Sequence, residues 1–131
     1  MRALALLLAS LAAALPAQAA DIPLINPPAR IGDVPVVSIQ AALNHIGERS
    51  AVCGQVMTTR IDTADQSMVI AIDVPYPAQQ FSFLILAVDR TKFGTPELTL
   101  LQKRICGTGI IQLAQGHAQM LLREPTQLTI Q

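Results

Sequence analysis

Residues 103–113 read KRICGTGIIQL and residues 51–61 read AVCGQVMTTRI. Both have the apolar, β-branched content and the two-residue alternation of strands. In the second run Val52, Gly54 and Val56 share one parity, and Cys53, Gln55 and Met57 share the other. Three more strand signals surround these two. Ser67–Val74 places Met68, Ile70 and Ile72 on one face, Phe81–Val88 is apolar on both faces, and Ala118–Arg123 follows a short link through Gln115-Gly116-His117. Turn-rich or proline-broken segments separate them: 62–66 (DTADQ), Pro75-Tyr76-Pro77 and 89–94 (DRTKFG).

Two helical signals complete the order. Ser38 is a capping residue, Ile39, Ala42, Leu43 and Ile46 fall on one helical face, and Gly47 is a stop, so a short helix is expected over 39–46. Pro96 suits a first-turn position and starts a second helix through Leu101. A helix, three strands, a short helix and two strands is the order of a five-stranded OB-fold barrel, all-β with short helices. Gly54, Gly107 and Gly109 fall where a small barrel must bend sharply. In this topology the first and fourth strands are neighbours that close the barrel. Cys53 and Cys106 then lie on adjacent strands and are expected to form a disulfide.

The runs Val52-Cys53-Gly54-Gln55-Val56, Tyr76-Pro77 ahead of Phe81, Asp89-Arg90-Thr91-Lys92-Phe93-Gly94, Ile105-Cys106-Gly107-Thr108-Gly109-Ile110 and Pro125-Thr126-Gln127-Leu128 together resemble small exported bacterial OB-fold domains. Such domains are described as nucleic-acid-binding-like. The resemblance spans residues 39–128 and implies the fold and, more distantly, a nucleic-acid role. His117-Ala118 after Gly116 departs from the basic or proline residue expected there, which weakens that role.

The N-terminus carries an address. Met1-Arg2 is a one-charge start, residues 3–15 are an uncharged Ala/Leu run, and Pro16 with Ala17-Gln18-Ala19 has the form of a signal-peptidase site. Residues 1–19 are thus expected to be a secretory signal that is too short for a membrane span, which needs roughly 20 apolar residues. Residues 20–37 read as a proline-rich extended lead-in outside the core, and 38–131 as the barrel domain. Export to the periplasm or the cell exterior places both cysteines where thiols oxidise. Without Arg2, eight Lys/Arg stand against nine Asp/Glu, a balance unlike the basic excess of generic nucleic-acid binders.

No constellation of an enzyme, metal site or cofactor emerges. His45 and His117 with the two cysteines lack the local ligand pairs of structural zinc. His45 is expected at a helix C-terminus and His117 in an exposed loop. Asp62 and Asp65 flank a turn whose backbone they can bond, and Phe81 and Phe83 suit the core. Tyr76, in a proline-flanked loop, is the candidate base-stacking residue, and Arg60, at the edge of the loop between the first two strands, is the candidate phosphate contact. The other cations, Arg90, Lys92, Lys103, Arg104 and Arg123, read as scattered solvation. The expected function is that of an exported, non-enzymatic binding module for single-stranded nucleic acid or oligosaccharide. The alternative is a protein–protein interaction or a structural subunit of the cell envelope.

Overall fold

The computed structural model describes residues 29–131. The expected signal peptide, its cleavage site and most of the lead-in lie outside them. Strands β1 (Arg30–Ile31) and β2 (Val34–Pro35) form a small hairpin. They are followed by β3 (Arg49–Ile61), β4 (Met68–Ile72), β5 (Phe81–Ile85), β6 (Arg104–Ala114), β7 (His117–Leu121) and β8 (Leu128–Ile130). A helix α1 (Pro96–Thr99) and three 3₁₀ turns, Ala42–His45, Ala87–Phe93 and Pro125–Gln127, make up the rest.

Antiparallel pairs join β3 to β4, β4 to β5, and β7 to β6, while β5 and β7 run parallel. A further β3–β6 pairing closes the circle, giving a five-stranded mixed barrel with the expected OB-fold order. Its thirteen-residue first strand serves two partners in turn: Arg49–Gln55 faces β6 and Val56–Ile61 faces β4. The register shifts between Val56 and Thr58, so a bulge at Met57 makes the bend that was expected at Gly54.

The glycines instead permit close approach. A Cβ on Gly107 would sit 2.3 Å from Cε1 of Phe83, and one on Gly54 would sit 2.9 Å from both Ile72 Cδ1 and Asp73 Oδ1. The inward row Thr59, Ile70, Phe83, Met120 and Ile111 runs across neighbouring strands. Within it Ile70, Phe83, Met120 and Ile111 are fully buried, and Phe81 meets Phe83 edge-on at 5.2 Å between centroids. Cys53 and Cys106 are directly opposite on β3 and β6, 4.0 Å apart at Cα, and form a disulfide.

Several expectations are corrected. The described end of the lead-in is not outside the core: Val34 and Val37 are buried, and Val36 bridges to Ala51. Gly32, with φ +61°, turns this hairpin between its prolines. The segment after Ser38 is 3₁₀ rather than α-helical, with Ala41, Ala42 and Asn44 each bonding three residues back. A 3₁₀ turn advances farther per residue, which suits so short a link. Its three-residue period aligns Ile39 with Ala42 in the core and turns Leu43 and Ile46 out to solvent. The 89–94 turn belongs to the longer 3₁₀ segment Ala87–Phe93. A further strand that the sequence pattern did not mark follows the last turn: β8 pairs with Ile105–Gly107 of β6.

Candidate binding face

Residues opposite one another across a ladder share a face, so the register also defines the outside of the barrel. Two outward rows cross it: Thr58, Ala71, Ser82 and Gln119, then Arg60, Val69, Leu84 and Leu121. The loop 73–80 folds onto the first of these, where Thr58 Oγ1 accepts a hydrogen bond from the Tyr76 N–H at 3.1 Å. That anchor places the Tyr76 ring beneath Arg60, whose guanidinium carbon lies 4.5 Å from the ring centroid. Arg60 is thus the penultimate residue of a strand, and the fold brings together the two residues singled out from the sequence.

The pair borders a cleft of about 240 Å³ whose walls include Asp65, Gln79, His117 and Gln119. The β3–β4 loop forms one rim. There Asp62 accepts the Ala64 N–H at 2.8 Å, and Asp65 accepts both the N–H and the hydroxyl of Ser67. The Ser67 hydrogen bonds hold the Asp65 carboxyl below its ordinary pKa, so it stays ionised near neutrality. The other rim is Gln115-Gly116, a two-residue turn with φ of +51° and +84°, the geometry of a tight hairpin. His117 is therefore not in an exposed loop. It opens β7, half-buried, with Nε2 at 3.5 Å from Ser82 Oγ, and Gln119 donates to the same hydroxyl at 3.1 Å.

Most other cations are committed elsewhere. Lys92 pairs with the buried Asp89 at 3.0 Å and with Glu124 at 2.9 Å, and Arg123 Nε lies 3.4 Å from Asp89 Oδ2. Arg90 donates to the Gln66 carbonyl, and Arg104 to the Gln131 side chain. His45 pairs with Glu48 at the end of its 3₁₀ turn. Phe81 and Phe83 are fully buried and unavailable for stacking. Among the described residues no three His, Cys, Asp or Glu side chains converge as metal ligands, and no helix is long and apolar enough to cross a membrane.

Two residues escaped the sequence reading. Gln127 uses both ends of its amide: Oε1 accepts from the N–H groups of Arg123 and Glu124, and Nε2 donates to the carbonyls of Thr108 and Leu121. It ties β6, β7 and the last turn together. Gln79 is only 6% exposed, and its Oε1 has no hydrogen-bond partner. No local signal separates it from its exposed neighbour Gln80; burial alone distinguishes them.

No family model and no curated protein matches the sequence. Solved structures do resemble the fold. A protein assigned as an aspartyl-tRNA synthetase from Leishmania major Friedlin superposes with a TM-score of 0.55 at 5% identity. The match covers 79% of this chain and 22% of that one, so this chain spans about a fifth of that protein's length. An OBody bound to hen egg-white lysozyme matches with a TM-score of 0.49 at 14% identity, over 67% of this chain and 83% of the other. At such identity the first likeness concerns the fold alone.

Proposed function

We propose that this protein is an exported, non-enzymatic binding module that holds a chain-like polar ligand, a single-stranded nucleic acid or an oligosaccharide, on the outer face of its barrel. The observation that carries this reading is the Arg60–Tyr76 stack. It forms a flat platform, anchored to β3, beside a cleft walled by amide, hydroxyl and imidazole groups. Faces of this kind, between the first and last hairpin loops of an OB barrel, commonly bind oligonucleotides and oligosaccharides. The disulfide and the signal-like N-terminus support the periplasm or cell exterior as its site of action.

The test is titration of the signal-free protein with a labelled fifteen-residue oligothymidylate and with neutral hexasaccharides. One of the two ligand classes should bind, and Tyr76→Ala should weaken it by ~1–3 kcal/mol if a ring stacks there. Binding that ignores Tyr76, or no binding of either class, refutes the face. A protein partner is the second reading. It is favoured by the exposed apolar side chains Val88, Leu98 and Leu101 on the segment between β5 and β6.

A further inference from the structure

Ala71 and Ser82 stand opposite one another on the outward row of the barrel, yet both are fully buried. Their cover is the β4–β5 loop. Tyr76 is held over β3 by Thr58, and Gln79 shares a cleft wall with His117 and Gln119 of β7, so the loop crosses the face from one side to the other. Its base is pinned: the Asp73 N–H donates to the Gln55 carbonyl and Asp73 Oδ1 accepts the Gln55 N–H, both at 2.8 Å. Its far end enters β5 at the fully buried Phe81.

Between these two anchors, residues 74–80 have little to hold them down. Pro75 and Pro77 have no N–H to give. The Ala78 N–H is used inside the loop, on the Pro75 carbonyl. Among the described residues, the Tyr76–Thr58 bond is the one hydrogen bond from 75–80 to the barrel. Tyr76 also meets Arg60, but both are exposed, where a cation over a ring is a weak tie. Gln79 is the one residue of 74–80 that the docked loop buries, and its Oε1 has no hydrogen-bond partner there. Such an oxygen has lost its hydration without compensation, and the loss ends when the loop lifts.

We infer that 74–80 is a lid, poised between the lid-down state described above and a lid-up state. In the second state Tyr76 has left Arg60, Gln79 is hydrated, and the row Thr58, Ala71 and Ser82 is uncovered. Segments that move over binding faces are drawn from such weakly tethered stretches with fixed ends. Thr58 is the latch, and the unpartnered oxygen of Gln79 works against it. The role of the lid rests on the binding-face reading above: the Arg60–Tyr76 platform exists only with the lid down, so a ligand stacked there holds the lid shut.

Amide hydrogen exchange of the signal-free protein, read residue by residue by NMR, tests the lid without any ligand. The Tyr76 N–H should exchange about a hundredfold or more faster than the ladder amides of β4 and β5. Its rate should also be insensitive to low urea, because lifting the loop exposes little surface. Gln79→Met keeps the bulk and removes the orphan oxygen; it should slow Tyr76 exchange about fivefold or more, the low end of the penalty on a buried unpaired group. Thr58→Val keeps the shape and removes the acceptor; it should speed that exchange about threefold or more. Exchange of Tyr76 in step with the β4–β5 ladder would overturn the lid. Unslowed exchange in Gln79→Met would overturn the part played by its oxygen, and unchanged exchange in Thr58→Val would overturn the latch. Oligothymidylate or a neutral hexasaccharide, whichever binds, should slow Tyr76 exchange about tenfold at ten times its Kd. Faster exchange on binding would overturn the lid-down platform. Binding of neither probe would refute the face, and the ligand-free rates would still decide the lid.

Discussion

Gly107→Ala adds one methyl group to the inside of the barrel. The new Cβ would lie 2.3 Å from Cε1 and 2.9 Å from Cζ of Phe83, well inside van der Waals contact. The ring cannot simply swing away, because Phe83 is fully buried and its edge-on partner Phe81 is 5.2 Å distant. Relief of roughly 1 Å must come from moving the ring or parting β5 from β6, and overpacking of this kind costs ~1–3 kcal/mol, occasionally more. With a clash this deep the upper end applies. A loss of ~3 kcal/mol corresponds to a fall of about 12–24 °C in melting temperature for a domain of this size. Urea unfolding of the oxidised protein, followed by circular dichroism, gives the number. Phe83→Leu should then act as a partial suppressor, costing at least ~1 kcal/mol less in the Gly107→Ala background than alone. A melting temperature within about 2 °C of the parent, or strict additivity of the two substitutions, would refute the account of Gly107 as space for Phe83.

The disulfide closes a loop between residues 53 residues apart in sequence, so the Cys53→Ala/Cys106→Ala variant should lose ~2–4 kcal/mol in the same urea assay. Gln127→Glu keeps the shape of the side chain but sets an oxygen against the Thr108 and Leu121 carbonyls. It should destabilise by ~1–3 kcal/mol, whereas the exposed Gln112→Glu should be nearly silent. The hydrogen bond from Lys92 opposes burial and lowers the pKa of Asp89. Its stabilisation is therefore complete above the ordinary aspartate value, about pH 4, and is lost as pH falls towards the lower folded value. Urea midpoints between pH 2 and pH 7 should show an acid limb that is shallower in Asp89→Asn; identical limbs would remove this pair from the acid response.

The parts of the fold written in local pattern were readable. Alternation or a short apolar run between turn signals marked the five barrel strands, and the barrel order put Cys53 beside Cys106, where the disulfide forms. What depended on distant partners was not readable. Gly54 and Gly107 were recognised as necessary, but the reason, a side chain pressing from another strand, needs three dimensions. The hairpin around Gly32 hid among prolines, and β8 offers only Leu128 and Ile130 as alternation, too short a period to detect. Ser38 can cap either kind of helix, and its Oγ does accept the Ala41 N–H, so the cap could not distinguish 3₁₀ from α. Of the candidate site, Tyr76 and Arg60 stood out by residue type. Gln79 did not, because an enclosed glutamine and an exposed one are spelled alike.

The covalent link between β3 and β6 also decides how the oxidised chain responds to being pulled. Tension applied between its two ends runs along the chain to Cys53, crosses the sulfur bridge to Cys106, and continues to the far end. Residues 54–105, which include all of β4 and β5, lie on a side branch that carries no force. Such a pull can first extract only the stretch ahead of Cys53 and the stretch after Cys106, which holds the rest of β6 with β7 and β8, leaving a looped remnant that cannot be threaded as a single strand. Any machine that must pass this protein through a narrow pore after oxidation would have to reduce the bridge first, or stall with roughly two-fifths of the chain still looped.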